Sequence, residues 1–207
     1  MTKTRDDLDE FVSHAEKGDL DHLMLLIDQG MDVNSIDSKG RTALLAATEF
    51  ENLKIIKWLL ENEAQIDLYD LENPTIERTP FLYAGANGHN TILDILIEYN
   101  PNYSIVNQYG GSALIPACER GHVETVRKLL EKTSIDINLV NNLGWTALLE
   151  TVILGDGGKN HQVIVKLLLD HGADPSISDN KGIFPLEHAI KKGFAEIIKI
   201  FHSGLRK

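Results

Sequence analysis

Three features of the sequence could carry chemistry: a glycine-rich segment, a set of histidines and a single cysteine. The segment Gly155-Asp-Gly-Gly-Lys159 has the composition of a loop that binds phosphate through backbone N–H groups. Such a loop has Ser or Thr after the lysine and a glycine at its start, whereas this chain has Asn160 and Ile153 there. The sequence therefore disfavours a nucleotide site, and we expect no cofactor.

The histidines and the cysteine have structural explanations. His89, His122 and His161 occupy one repeated position at the start of successive amphipathic helices, which is typical of side chains that brace loops. Cys118 stands where other segments have small packing residues, and a buried thiol is inert unless its pKa is lowered. We therefore expect no catalytic residues, no metal ligands and no enzyme activity.

A six-residue phrase organises the elements that carry these residues. Its copies begin at Thr42, Thr79, Ser112, Thr146 and Phe184, so the steps between them are 37, 33, 34 and 38 residues. A nearly fixed period with small insertions predicts stacked structural units rather than one central core.

Residues 37–70 indicate how one unit folds. Asp37-Ser-Lys-Gly40 predicts a turn, and the Thr42 hydroxyl can cap a helix of small residues that begins at Ala43. A second, amphipathic helix follows, and its apolar stripe consists of Leu53, Ile55, Ile56, Leu59 and Leu60. Because two helices cannot bury their apolar faces alone, each unit needs its neighbours.

The repeated residues resemble the ankyrin repeat over the whole chain. Gly88-His89 and Gly121-His122 precede second helices, Leu-Leu pairs stand at 59–60, 129–130 and 168–169, and Gly172-Ala-Asp-Pro175 matches the family's pattern. The resemblance implies an all-α ankyrin-repeat solenoid of stacked helix-turn-helix units with protruding β-turn fingers. It divides a single domain, residues 1–207, into approximate repeats at 4–36, 37–70, 71–106, 107–140, 141–178 and 179–207, the first and last being caps.

Two insertions interrupt the period. One lengthens the finger at residues 71–78, and the other places Gly155-Asp-Gly-Gly-Lys-Asn160 in the turn before a second helix. Loops on a rigid scaffold often carry function, but lengthening a loop also costs little closure entropy. A small-molecule or enzymatic site near the 71–78 finger is therefore an alternative to a purely structural insertion.

Composition narrows the class of partner. The chain has 20 Lys and Arg against 31 Asp and Glu, and residues 1–106 carry 8 basic and 20 acidic side chains. This charge repels nucleic acid and would attract a basic or polar partner to the N-terminal half.

One cysteine cannot form an internal disulfide, and no apolar run suits a signal peptide or a membrane span. We expect a cytoplasmic protein without a membrane partner, with export by a route without a cleaved signal left open.

Resemblance to ankyrin repeat proteins implies a monomer that binds a partner protein on the concave surface of fingers and inner helices, as an inhibitor, adaptor or regulator. Trp, Tyr and Arg supply most interface energy, which favours the variable positions that carry them. The candidate partner-binding residues are Arg41, Phe50, Arg78, Tyr83, Tyr109, Arg120, Trp145 and Leu154, and the same surface includes Glu119, Leu143 and Glu150. A self-associating structural protein is the other alternative, suggested by Leu45, Leu82, Ile115 and Leu149 at equivalent positions.

Overall fold

The computed structural model describes residues 3–72 and 75–204, and these residues form twelve α-helices in consecutive pairs. The helices are α1 (Arg5–Lys17), α2 (Leu20–Asp28), α3 (Ala43–Glu49), α4 (Leu53–Glu61), α5 (Pro80–Asn87), α6 (Asn90–Glu98), α7 (Leu114–Glu119), α8 (Val123–Lys132), α9 (Ala147–Ile153), α10 (Lys159–Asp170), α11 (Pro185–Lys192) and α12 (Ala195–Gly204). Across the described residues, the one isolated β-bridge joins Ile36 and Thr42. The all-α prediction is confirmed, while Asn73 and Pro74 of the 71–78 finger lie outside the described residues.

The chain divides into two compact units. The first comprises Met1–Ala84 with His89–Asn102, and the second comprises Gly85–Gly88 with Tyr103–Lys207. In the first unit α1 packs on α2 and α3, and α3 packs on α4. In the second unit α9 lies between α7 and α11, and α10 lies between α8 and α12. The helices α9 and α10 form the central pair of this unit, and each thus contacts the equivalent helix of the preceding and of the following repeat.

Side-chain caps fix where the first helix of several pairs begins. The hydroxyls of Thr42 and Thr146 accept hydrogen bonds from the backbone N–H groups of Leu45 and Leu149, at 3.1 and 3.2 Å. These bonds satisfy N–H groups that the helix itself leaves unpaired. Ser112 differs, because its buried hydroxyl has no hydrogen-bond partner and α7 begins only at Leu114. The predicted cap is present at Thr42 and absent at the equivalent serine.

The core of each unit lies between these helices. Ile55, Ile56 and Leu59 are at most 1% exposed, as the apolar stripe of α4 predicts. Burying a side chain of this size stabilises a fold by about 1.5–3 kcal/mol. Leu45, Leu82, Ile115 and Leu149, which suggested self-association, are at most 3% exposed. They belong to the core, so they offer no apolar surface for a second copy of the chain.

Side chains from one helix pair cap the first helix of the pair before it. In the first unit, the Asn52 amide donates to the carbonyl oxygens of Ala15 and Glu16 at 2.8 and 2.9 Å. In the second unit, the His161 Nε2 atom lies 2.9 Å from the Glu119 carbonyl oxygen. Helix ends leave such carbonyls unpaired, so these contacts lock neighbouring repeats together. They also explain His161 as a bracing residue.

The second insertion is an ordered turn that continues into a helix. The Asp156 carboxylate accepts a hydrogen bond from the Gly158 backbone N–H at 2.7 Å and lies 2.7 Å from the His161 ring. Gly157 has a φ of 71°, and a Cβ atom there would meet the Phe194 ring. Because α10 already begins at Lys159, the insertion lengthens that helix as well as the turn.

Candidate functional site

Arg41 lies in a cage of carboxylates in the first unit. Its guanidinium donates to Asp37 at 3.0 and 3.1 Å, to Glu16 at 2.9 Å and to Glu49 at 2.9 Å. The residue is only 7% exposed. Arg41 was predicted to contact a partner, but its donors are already occupied within the unit. Its side chain joins α1, the turn before α3 and the end of α3.

Burial and charge act in opposite directions on this cage. Burial lowers the pKa of Arg41, but hydrogen bonds to Glu16, Glu49 and Asp37 outweigh burial and raise that pKa above its ordinary value. Burial also raises the pKa of Glu49, which the hydrogen bond from Arg41 partly offsets. The cage therefore pairs each of its three acids with the buried guanidinium, and all three guanidinium nitrogens donate within it.

The other candidates of the first unit differ in exposure. Phe50 is 52% exposed. Arg78 is half-buried, with its guanidinium carbon 5.5 Å from the centre of the Tyr69 ring. Tyr83 is half-buried and stacks on His89 with ring centroids 5.7 Å apart. Contacts within the unit therefore cover part of the surface of Arg78 and Tyr83.

The candidates of the second unit remain at the surface. Tyr109 is 54% exposed, Leu154 is 47% exposed and Trp145 is half-buried. Arg120 is exposed, although one of its nitrogens donates to the Ala86 carbonyl oxygen at 2.7 Å. Tyr, Trp and Arg side chains of this kind are typical of interface anchors.

Glu150 is a buried carboxylate on α9, in the same unit as these residues. It is 6% exposed and accepts one hydrogen bond, from the Asn141 amide at 2.9 Å. Within residues 3–72 and 75–204, no ion pair involves Glu150 or Glu119. Burial and then the nearby Glu119 charge raise the pKa of Glu150 to about 7, and the hydrogen bond from Asn141 opposes them. A buried acid without a cation costs stability, so its position suggests a role other than stabilisation.

Asn141 connects this carboxylate to the exposed residues. Its side-chain oxygen accepts hydrogen bonds from the backbone N–H groups of Leu143 and Trp145, both at 3.0 Å, while its amide nitrogen donates to Glu150. Leu154 lies one helical turn beyond Glu150, and its backbone N–H donates to the Glu150 carbonyl oxygen at 2.9 Å. Asn141 thus links the Glu150 carboxylate to the turn that carries Trp145, and Leu154 follows Glu150 at the end of α9. We call Trp145, Glu150 and Leu154 the Glu150 site.

The fingers beside the Glu150 site are joined by hydrogen bonds. The Asn142 backbone N–H donates to the Tyr109 carbonyl oxygen at 2.9 Å, and the Asn180 amide donates to the Leu143 carbonyl oxygen at 3.0 Å. These bonds fix Tyr109 and Leu143 relative to Glu150. A surface held in place before binding loses little conformational entropy when a partner binds.

Two other places contain residues that could carry chemistry. Cys118 is fully buried, and burial raises the pKa of its thiol, so little reactive thiolate forms near neutral pH. An open groove of about 510 Å³ lies beside the 71–78 finger and is lined by Gln65, Ile66, Asp67, Leu68, Tyr69 and Leu71. The Asp67 carboxylate accepts hydrogen bonds from the Asn102 backbone N–H at 3.0 and 3.1 Å. The residues that line the groove do not pair a nucleophile with a general base.

Known proteins share this repeated arrangement over its full length. A family model described as ankyrin repeats (3 copies) matches residues 11–70, 69–141 and 134–205. The chain belongs to the ankyrin repeat family. The ankyrin repeat protein YahD of Escherichia coli (strain K12) is 37% identical over 191 residues, which cover 92% of this chain and 93% of YahD.

Solved ankyrin repeat structures have the same fold. An ankyrin repeat domain from Acinetobacter baumannii AYE matches with a TM-score of 0.87 and 41% identity, covering 96% of this chain and 98% of that one. The ankyrin repeat protein EF0377 matches with a TM-score of 0.84 and 38% identity, covering 97% and 98%. The predicted ankyrin-repeat solenoid is confirmed.

Ankyrin repeats are generally modules for protein interaction, and the fold is typically non-enzymatic. This ankyrin chain has no helix, within its described residues, with the length and apolar character that a membrane crossing requires. Family membership thus indicates a protein partner without identifying it.

Proposed function

We propose that this ankyrin repeat chain is a non-enzymatic binding module, which recognises a partner protein at the Glu150 site through a basic side chain of that partner. The observation that carries the proposal is the Glu150 carboxylate, which is 6% exposed and has no cationic partner among the described residues. A lysine or arginine of the partner would supply the missing charge, as Arg41 does for the acids of the first unit.

The surroundings of Glu150 favour a protein ligand over a free metal ion. Tyr109, Leu143 and Leu154 are each 47–54% exposed, so they present apolar surface on α9 and on the fingers that are hydrogen-bonded beside it. A peptide segment with apolar residues next to a basic residue would cover both features at once. Apolar contacts would exclude water from the ion pair, which strengthens it.

Charge also favours a basic partner at longer range. The chain carries a formal charge of −11, and all of the acidic excess lies in residues 1–106, because residues 107–207 carry 12 basic and 11 acidic side chains. A field of this sign accelerates the approach of a basic protein and slows that of nucleic acid. The net charge thus favours a basic partner for the chain as a whole, whereas the choice of the Glu150 site rests on the buried carboxylate itself.

Selection from a random peptide library displayed on phage tests the proposal. The full chain is immobilised at pH 8, where most Glu150 side chains are ionised because their pKa is about 7. We expect the enriched peptides to contain Arg or Lys beside an aromatic or aliphatic residue.

The matched variants of this experiment carry two substitutions each. Tyr109→Ala with Leu154→Ala removes exposed surface beside Glu150, whereas Met24→Ala with Leu25→Ala removes exposed apolar surface on α2. Selected peptides should lose binding to the first variant and bind the second like the unaltered chain. Peptides that lack a basic residue, or that bind both variants equally, would contradict the proposal.

A further inference from the structure

Two histidines and one aspartate converge where α1 turns into α2. The Asp19 Oδ2 atom lies 3.2 Å from His14 Nδ1 and 2.7 Å from His22 Nδ1. One ligand atom from each of the three residues lies within 4.8 Å of the other two. This cluster belongs to the first unit and contains none of the residues of the Glu150 site.

The local backbone determines this convergence. His14 is in the last turn of α1, and Gly18, whose φ of 79° reverses the chain, caps the end of that helix. The Asp19 backbone N–H donates to the His14 carbonyl oxygen at 2.9 Å, and the Asp19 carboxylate accepts from the His22 backbone N–H at 3.3 Å. The three side chains are therefore held together by the main chain that carries them.

The donor set suits a borderline transition-metal ion. Two imidazole nitrogens and a carboxylate oxygen are ligands that Zn²⁺ accepts at about 2.0–2.2 Å, so neighbouring donors of a tetrahedral ion stand about 3.4 Å apart. The two measured separations from Asp19, 2.7 and 3.2 Å, are close to this spacing. Ca²⁺ and Mg²⁺ prefer oxygen ligands and suit the cluster less well.

A second carboxylate faces the other side of one ligand. Glu10 Oε1 lies 3.8 Å from His14 Nε2, the ring nitrogen that does not face Asp19. A carboxylate near the remote nitrogen of a metal-bound histidine orients the ring and makes it a better ligand. His14 is thus the anchored ligand of the group, with its side chain 15% exposed.

Binding requires one ring to turn. The two imidazoles are stacked with centroids 4.9 Å apart and planes 11° apart, whereas a metal ion lies in the plane of each ring that binds it. The His22 side chain is 61% exposed and can turn about its own torsion angles without disturbing the core. Without an ion, both rings can instead share hydrogen bonds with Asp19, which accounts for the stacked arrangement.

We propose that His14, Asp19 and His22 form a binding site for one divalent transition-metal ion of the Zn²⁺ type. The ion would join the end of α1 to the start of α2 and leave a coordination position open to water. Because it binds only the folded hairpin in this geometry, it would raise the thermal stability of the chain by mass action.

Zinc titration of the metal-free chain tests the site. Protein purified without a polyhistidine tag is stripped with a chelator, freed of the chelator and titrated with ZnCl₂ at pH 7.5 in a calorimeter. We expect saturation at one ion per chain and a higher unfolding temperature in the presence of zinc. Absence of saturable binding would overturn the proposal.

Three variants separate this site from nonspecific binding by surface histidines. His22→Ala removes an exposed ligand, and Asp19→Asn removes the carboxylate while keeping a residue that caps α2 well. Each should weaken zinc binding by at least about tenfold, since loss of even an outer-shell partner costs about 10–100-fold. His202→Ala, which alters an exposed histidine elsewhere, should bind zinc like the unaltered chain. Circular dichroism verifies that all variants fold. Equal zinc affinity in the folded His22→Ala and His202→Ala proteins would overturn the site.

Discussion

The turns before α3 and α9 have the same hydrogen bonds to backbone N–H groups, but the side chain that accepts them pairs with a cation in one turn and with an acid in the other. Asp37 accepts from the backbone N–H groups of Lys39 and Arg41, at 2.9 and 2.8 Å, and Asn141 accepts from those of Leu143 and Trp145. The second oxygen of Asp37 then accepts from the Arg41 guanidinium. The amide of Asn141 instead donates to Glu150.

This difference separates a stabilising cluster from a candidate binding site. In the first unit, an arginine inside the fold forms ion pairs with Glu16, Asp37 and Glu49. In the second unit, Trp145 occupies the sequence position of Arg41, and Glu150 is buried beside the like charge of Glu119. The same variable position of the repeat can therefore carry an arginine that pairs with acids inside the fold, or a residue that leaves a nearby acid without a cation.

The largest expected effect is the loss of the cation from the first cluster. Arg41→Met should lower the free energy of unfolding by about 3 kcal/mol or more, because it leaves the buried Asp37 and the half-buried Glu16 and Glu49 without a counter-charge. Urea denaturation followed by circular dichroism measures the change. Lys39→Met, which alters an exposed neighbour, should change stability by less than about 0.5 kcal/mol. Equal small effects of the two substitutions would remove the Arg41 cage from the account.

The second effect has the opposite sign. Glu150→Gln should raise the free energy of unfolding by about 1–3 kcal/mol above pH 8, because the variant no longer carries a buried, unpaired charge. The folded pKa of Glu150, about 7, exceeds the ordinary value of 4.5, so the unaltered chain loses stability as pH rises between those values. Below about pH 4.5 the carboxyl is protonated in both states, and the gain should vanish.

Urea denaturation at several pH values follows this gain. The groups that face Glu150 are Glu119 and Cys118 on α7 and Asn141 in the turn. On α11, which packs on the other side of α9, the His188 ring is 2.9 Å from the Asp179 carboxylate. Glu61→Gln, at an exposed site on α4, is the control and should give no pH-dependent gain. A gain from Glu150→Gln that is the same at pH 5 and pH 8 would show that charge is not its cause.

The smallest expected effect on stability comes from the exposed apolar residues at equivalent positions. Phe50→Ala and Leu154→Ala should each change the free energy of unfolding by less than about 1 kcal/mol, since both residues are about half exposed. Their effects on binding should differ, because only Leu154 adjoins Glu150. Fluorescence titration with a selected basic peptide should show about tenfold weaker binding by Leu154→Ala and no change by Phe50→Ala. A larger loss from Phe50→Ala would move the binding surface to the first unit.

The period of the sequence predicts the fold because each repeat contains its own local signals. Thr42 caps α3, the apolar stripe of α4 is buried, and Asp37 and Gly40 form a turn. The insertion before α10 differs from its prediction. The sequence places Lys159 and Asn160 in a turn, but both belong to α10, because the Asp156 turn ends earlier than composition suggests.

The site is less predictable, because it depends on which charges meet across repeats. The sequence indicates that Arg41 and Trp145 occupy one variable position, but not that three acids surround the first of them. Nor does it show that Glu150 is buried, since acidic residues are usually exposed. The spacing of His14, Asp19 and His22 around a helix break is a signal for the proposed metal site. It becomes informative only when the turn at Gly18 is known.

The central claim is that a basic residue of a partner pairs with Glu150. A double-mutant cycle measures this pair directly, with the unaltered chain or Glu150→Gln and a selected peptide with its basic residue intact or replaced by Gln. Calorimetry at pH 8 gives the four affinities. The account predicts that each single change weakens binding by at least about tenfold and that the second change then adds little, a coupling of about 1.4 kcal/mol or more. Additive effects of the two changes, or unaltered affinity in Glu150→Gln, would contradict it.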